Sequence, residues 1–255
     1  MRFASLGSGS EGNALVVEAG ATRVLIDCGL GLRDCTARLG RLGIEPGSLA
    51  AIFVTHEHSD HISGVPALAG RHGIGVWLTF GTLSAVASRF EGLARVYGFD
   101  SHDALVLGDL EIRPFPVPHD AREPVQFVVT DGVHRLGVVT DLGMSTPHVQ
   151  ASLTGCDALV LECNHDSDML MGGSYPAALK ARIAGRHGHL CNADAAALLA
   201  SLDCSRLQHV LAAHLSRENN RPALARAALA SALGCSADWI GLADQDLGFD
   251  WRSFA

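Results

Sequence analysis

The chain has no excess of positive charge. Its 255 residues carry 27 acidic and 19 basic side chains, a formal net charge of −8 with histidine neutral. Broad coating of a nucleic acid needs clustered Lys and Arg against the phosphates, so that class is excluded as a general reading. No apolar run approaches the ~20 residues that span a bilayer. The amino terminus, Met1-Arg2-Phe3-Ala4-Ser5-Leu6-Gly7, passes into a Gly/Ser-rich loop without the apolar stretch of a secretory signal. There is no C-x-x-C pair: Cys28, Cys35, Cys156, Cys163, Cys191, Cys204 and Cys235 are scattered and odd in number. That pattern argues against a zinc ribbon or a disulfide framework and fits reduced, mostly buried thiols in a cytoplasm. Repeats, low-complexity tracts and long charge runs are also missing, so no linker is visible. A single domain over residues 1–255 is expected, with no membrane contact and no obligate protein partner indicated.

What is present is core material and imidazole. Hydrophobic residues make up 48% of the chain and charged ones 18%, ample for a packed interior. The 13 histidines outnumber the nine phenylalanines and two tyrosines together, which directs attention to imidazole chemistry. Apolar patterning predicts strands at Arg2–Leu6, Ala14–Glu18, Thr22–Asp27 and Leu49–Val54, with a helix at Arg33–Leu42. Further strands are predicted at Val76–Thr79, Ala104–Leu107, Glu111–Val117, Val125–Thr130, Arg135–Thr140, Ala158–Glu162 and Gln208–Ala213. Ala/Leu-rich helices are predicted at Pro176–Ala184, Asp194–Ser201 and Pro222–Leu233. Two groups of strands, each followed by helices, predict two stacked sheets with helices outside: an α/β fold of αββα sandwich type.

The sharpest motif is Thr55-His56-Glu57-His58-Ser59-Asp60-His61, directly after an apolar strand. In an extended segment residues i and i+2 point the same way, so His56 and His58 can face one metal. If a helix begins near Ser59, Asp60 and His61 lie in its first turn and can face a second. A surface loop that happens to be rich in histidine is the competing explanation, but this loop caps a buried strand. Further ligands are expected at other strand ends, where His119, Asp141 and His214 qualify. Each taken singly is weak, since a lone strand-end His is often structural and an Asp before Gly is often a turn residue.

The order H-x-H-x-D-H, then His, Asp and His, each after a strand, resembles the metallo-β-lactamase superfamily of dinuclear metallohydrolases. The resemblance implies that His56, His58 and His119 bind one metal, that Asp60, His61 and His214 bind another, and that Asp141 bridges them. Zinc, manganese or iron would suit this thiolate-free set of two divalent metal ions. Within the superfamily the chain is similar to the WalJ/YycJ-type exonuclease branch. The likeness is carried by "SLGSGSEGNALVVEAGATRVLIDCGL", "LVLECNHDSDML", "YPAALKARIAGRHGHLCNADAAALL" and "AAHLSRENNRP". One departure is Cys191, where a Ser is expected in a GHLSN-like turn; it weakens the case for a phosphate-holding hydroxyl there.

The implied activity is a phosphodiesterase, a 5′-to-3′ exonuclease acting on a DNA end, with a metal-shared hydroxide as nucleophile and Asp60 orienting it. A small-molecule hydrolase acting on a cyclic phosphodiester, thioester or lactone is the alternative on the same core. Glu162 and His189 match a proton-donating pair of the related tRNA 3′-processing nucleases; Glu162 orienting a metal ligand is the competing role. Ser10 and Asn13, in the loop Gly7–Asn13, are candidates for substrate phosphate, with a plain hairpin turn as the alternative. Ser216, Asn219 and Asn220, with Arg217, are placed to touch a terminal phosphate or sugar. His165 is a further substrate candidate or an exposed loop histidine. Asp27 is expected to support the His56 loop, and Arg182, Arg186 and His187 form a basic group that either steers a nucleic-acid backbone or is a solvated helix face.

Overall fold

A computed structural model of the chain describes all residues, Met1–Ala255. It contains two seven-stranded mixed sheets. The first runs in the order β14 (Phe249–Ser253), β1 (Arg2–Gly7), β2 (Ala14–Ala19), β3 (Thr22–Ile26), β4 (Ala51–Phe53), β5 (Gly75–Thr79) and β6 (Val96–Phe99). The second runs β13 (Gly241–Leu242), β12 (His209–Ala213), β11 (Ala158–Glu162), β10 (Arg135–Val139), β9 (Val125–Thr130), β8 (Leu110–Pro116) and β7 (Leu105–Leu107).

The inner faces meet through Phe3, Val17, Ile26 and Phe53 from the first sheet and Ile112, Phe127, Val138 and Val160 from the second. Phe53 and Phe127 pack edge to face with ring centroids 6.1 Å apart. On the outer face of the first sheet, Leu6, Val16, Leu25 and Ile52 are covered by α1 (Leu32–Arg41), α3 (Val65–His72) and α4 (Phe80–Val86). On the second, Leu159, Leu161 and Val210 are covered by α5 (Pro147–Leu153), α8 (Asn192–Ala200) and α9 (Pro222–Leu233). Because both faces of the central strands are buried, runs such as Val24-Leu25-Ile26 read as continuously apolar rather than alternating. The αββα sandwich expected from the sequence is the architecture observed. Three short helices, α2 (Ser59–Ile62), α6 (Ser167–Gly172) and α7 (Ala177–Ile183), complete the elements. No helix is long and apolar enough to cross a membrane.

Several elements differ from expectation. The strand predicted at Leu49–Val54 shortens to Ala51–Phe53 because Pro46–Ser48 forms a 3-10 turn ahead of it. The edge strands β6 and β14 were not evident in the sequence, since exposed Tyr97 and Asp250 interrupt their apolar pattern. β14 pairs antiparallel with β1 from the far end of the chain. Helix α8 starts at Asn192 rather than Asp194 because Cys191 is its N-cap: the Sγ accepts the Asp194 N–H. The expected serine position is thus a capping position.

Candidate metal centre

The chain leaves its strands toward one edge of the sandwich. Parallel pairing of Val139 with Leu161 and of Leu161 with Ala212 carries Asp141, Glu162 and His214 out side by side. Parallel pairing of Ile26 with Phe53 does the same for Asp27 and the His56 loop. The Val125 N–H donates to Thr55 O at 3.1 Å and fastens the two sheets at this edge. Asp27 and His214 both hold left-handed backbone, with φ of 59° and 54°. Each such residue costs about 1–3 kcal/mol and persists only where its surroundings fix it. Here the His214 N–H donates to Ser8 Oγ at 2.9 Å and the Asp27 N–H to Phe53 O at 2.8 Å.

Four imidazoles are fixed by their Nδ1 atoms. His56 Nδ1 donates to Thr55 Oγ1 at 2.9 Å, and that hydroxyl donates to Asp27 Oδ2 at 2.8 Å. His61 Nδ1 donates to Asp27 Oδ2 at 2.8 Å, His119 Nδ1 to Gly188 O at 3.0 Å and His214 Nδ1 to Glu162 Oε1 at 3.1 Å. Holding Nδ1–H against an acceptor leaves Nε2 with a free lone pair, the arrangement a metal-binding histidine needs. His58 is turned the other way, its Nδ1 3.2 Å from His119 Nε2. Donor atoms of His56, His58 and His119 lie within 4.8 Å of one another, as do those of Asp60, His61 and His214, and those of His56, His61 and Asp141. The Asp141 carboxylate stands between the first two groups, 3.0 Å from His61 Nε2 and 3.7 Å from His119 Nε2.

A buried atom shows what this cage is missing in protein alone. His56 Nε2 has no hydrogen-bond partner, and Asp141 Oδ2 meets only the His61 imidazole at 3.0 Å. Native folds rarely leave such groups unsatisfied, and each costs about 1–3 kcal/mol if it stays so. The charges agree. Burial lowers the His61 imidazole's affinity for protons, but Asp141, Asp60 and Asp27 outweigh it and hold the group well above the ordinary histidine range. Burial also opposes charge at His214, yet Asp141, Asp60 and Glu162 push it up to about 10. His56, by contrast, is driven well below its usual value by burial and the neighbouring His61. A cage that draws protons onto two imidazoles is one that calls for positive charge, and seven nitrogen and carboxylate donors without a thiolate fit divalent metal ions.

Beside the cage, Glu162 Oε1 accepts from His189 Nδ1 at 2.7 Å as well as from His214. Its Oε2 accepts the N–H groups of Leu142 and Leu190 at 2.9 and 3.1 Å. The two roles considered for Glu162, pairing His189 and orienting a cluster histidine, are geometrically compatible. Burial works against a charged His189, but the Glu162 carboxylate overcomes it and raises the group above its usual value. A further four-residue grouping of Asp141, Glu162, His189 and His214 also brings donor atoms within 4.8 Å. In it the Glu162 oxygens are already taken by the bonds just described.

A cleft of about 400 Å³ opens over the cluster, lined by His58, Asp60, Asp141, His189 and His214 on one side and by Tyr175, Leu179, Arg182 and Ile183 on another. Ser10 is among its lining residues. Sequence reasoning assigned no role to Asp120, whose Oδ1 lies 3.5 Å from His119 Nε2 and 3.8 Å from His58 Nε2, with Oδ2 accepting from Arg182 Nε at 2.6 Å. Its position next to His119 was the available signal. Of the basic group, Arg182 lines the cleft while Arg186 and His187 do not.

Five expected substrate contacts lie away from the cleft lining. Asn13 is buried, and its Nδ2 lies near Asp60 Oδ2 at 3.3 Å and His61 Nε2 at 3.1 Å, so it braces the cluster from behind. Asn220 is buried with its Nδ2 donating to Cys163 O and Asn192 Oδ1. Asn219 and His165 are each 2% exposed and neither lines the cleft, so His165 is not an exposed loop histidine. Ser216 and Arg217 line a separate cavity of about 220 Å³ with Arg221 and Gln245. Arg217 there is paired with Glu11 and Asp246.

The chain belongs to the beta-lactamase superfamily: the family model described as beta-lactamase superfamily domain matches residues 22–214. Among curated relatives, it is 34% identical over 235 residues to exodeoxyribonuclease YycJ from Bacillus anthracis, covering 91% of this chain and 89% of that protein. It is 31% identical over 257 residues to exodeoxyribonuclease WalJ from Streptococcus pneumoniae serotype 2, covering 99% and 93%. The crystal structure of the metallo-β-lactamase fold protein YhfI from Bacillus subtilis matches with a TM-score of 0.77 at 15% identity over 99% of both chains, a likeness of fold.

Proposed function

We propose that the protein is a metal-dependent exodeoxyribonuclease, working from the 5′ end of DNA as a single hydrolase domain over residues 1–255 in the cytoplasm. The observation that carries this reading is the alignment, over nine-tenths of the chain or more, with relatives named exodeoxyribonucleases. In the proposed assignment His56, His58 and His119 hold one divalent ion, Asp60, His61 and His214 hold a second, and Asp141 faces both. Zinc, manganese and iron all suit these donors. Such ions, when bound, supply Lewis acidity toward phosphodiester oxygens and make a water acidic enough to act as nucleophile near neutral pH.

The remaining work falls to the chain's own groups. Asp60, held by Asn13 and His214, orients the attacking water. Glu162 grips His189 through Nδ1, which leaves Nε2–H as the atom able to give a proton to the departing oxygen. The Glu162 carboxylate raises the proton affinity of His189 against the effect of burial, which favours holding that proton. Ser10 at the mouth of the cleft offers a hydroxyl to the substrate phosphate.

The test is incubation of metal-loaded protein with 5′-phosphorylated duplex DNA labelled at either end, alongside a thioester and a lactone. Release of mononucleotides from the 5′ end, abolished in His58→Ala, is the expected outcome. Acyl hydrolysis without nuclease activity overturns the reading in favour of a small-molecule hydrolase. Full activity in both Glu162→Gln and His189→Ala removes the proton-donor assignment.

A further inference from the structure

One wall of the cleft carries half-buried apolar side chains whose free surface faces the cleft. Leu179 and Ile183 stand one turn apart on one face of α7, and Tyr175, in the bend before the helix, lines the same cleft. Helix α7 buries none of its own residues in the protein. All three side chains line the same cleft as His58, Asp60, Asp141 and His189.

This wall is held firmly against the metal cluster. Lys180 Nζ donates to Met171 O and Gly173 O, each at 2.7 Å, which ties the turn before Tyr175 to the helix. The far end of α7 is joined to the cluster itself: the His189 N–H donates to Ile183 O at 2.8 Å, and Gly188 O accepts from His119 Nδ1 at 3.0 Å. A Cβ at Gly188 would lie 2.2 Å from both Arg182 O and Ile183 O, so the absence of a side chain there lets the helix close onto the loop carrying His189. Arg182 is the one Arg or Lys among the lining residues, set among Asp60, Asp120 and Asp141. Its side chain is 61% exposed, anchored to Asp120 at one edge of the guanidinium and open at the other.

A flat apolar group next to an anionic diester is the chemistry this wall matches, and that is a nucleotide. A cleft of about 400 Å³ lies within the usual span of about 300–1,000 Å³ for small-ligand sites and accommodates one nucleotide rather than a duplex. We propose that Tyr175, Leu179 and Ile183 seat the base of the terminal nucleotide while Arg182 contacts its backbone phosphate. The proposal rests on the nuclease reading above. Stacking on an aromatic ring accepts every base, so the seat selects an unpaired terminal nucleotide without selecting sequence.

The experiment compares kcat/KM of the metal-loaded full chain on two DNA substrates that differ at the 5′-terminal residue, one carrying a base and one a tetrahydrofuran abasic analogue. The native protein should prefer the base by roughly tenfold or more, the scale of one base–aromatic stack. Tyr175→Ala should bring that ratio close to one, mainly through KM, and Tyr175→Phe should restore it. Arg182→Gln should weaken both substrates equally, keep the ratio and make the salt dependence of binding shallower by about one counterion. A loss of rate from general damage would not change the base-to-abasic ratio. Equal rates on the two substrates in the native protein, or an unchanged ratio in Tyr175→Ala, overturns the base seat while leaving the nuclease reading intact. Absence of any DNA hydrolysis by the native protein overturns both.

Discussion

Replacing Gly29 with alanine should damage the metal centre from behind. Gly29 follows β3, and a Cβ built on it would lie 1.8 Å from Asp60 O and 2.3 Å from its carbonyl carbon. Real Cβ atoms essentially never come within 3.0 Å of such neighbours, so Gly29→Ala must open this contact by about 1.2 Å. Neither segment is free to yield. The Gly29 N–H donates to Asn13 O at 3.0 Å, the Asn13 N–H to Asp60 O at 2.7 Å and the Cys28 N–H to His61 O at 2.8 Å. The shift is therefore passed to the two donors Asp60 and His61. Overpacking of this kind costs about 1–3 kcal/mol of stability, and a displacement of about 1 Å in a reacting group lowers turnover by about 100-fold. Urea unfolding of the metal-free protein, metal content and DNA hydrolysis measure the three effects. Gly40→Ala is the control: Gly40 lies in α1 with nothing within 4 Å of its Cβ position, and the change should stabilise by up to about 1 kcal/mol. A Gly29→Ala protein with native metal stoichiometry and turnover would refute the reasoning.

Cys191→Ser should stabilise the protein by about 0.5–1 kcal/mol in urea, because a hydroxyl accepts the Asp194 N–H better than the thiol that now caps α8; a loss of stability would show that thiol burial matters more. A divalent ion at 100 times its Kd should raise unfolding stability by about 2.7 kcal/mol, and chelation should reverse this, with His56→Ala blunting the response. Metal binding should also release protons, since His214 lies at about 10 in the metal-free cluster and must be neutral to act as a ligand. Calorimetry in buffers of different ionisation enthalpy reads that release, and affinity should rise with pH. At Asp131, burial opposes ionisation, but the His134 N–H and the Met1 ammonium hold the carboxyl well below its usual range. A depressed carboxyl stabilises the fold above the unfolded value of about 4 and loses that contribution as pH falls through the folded value. Asp131→Asn should therefore flatten the acid limb of the stability curve from about pH 4 downward, less so in high salt; an unchanged acid limb would exclude the contribution.

The donor set was legible in the sequence because its core is local. His56, His58, Asp60 and His61 fall within six residues after a buried strand, and His119, Asp141 and His214 each follow an apolar strand that a reader can find. Parallel pairing then brings those strand ends to one edge, as layered α/β sandwiches do. Asparagines and histidines in loops were less legible. Asn13, Asn220 and His165 have the composition of substrate contacts, yet their surroundings include residues far along the chain, such as Asp60 for Asn13 and Cys191 for His165.

By itself, then, the sequence determined the positions of the main strands, the layered α/β class and the seven candidate donors that the structure clusters. All of these are written in short stretches of apolar pattern and residue type. Only the tertiary structure decided which polar groups face the cleft and which brace it. It joined Arg182 to Asp120, closed α7 onto the cluster across Gly188 and turned Cys191 into a helix cap. The physical reason is the same in each case. A polar side chain acts through the partner it reaches, and here those partners are set by packing between segments that the chain does not place next to each other.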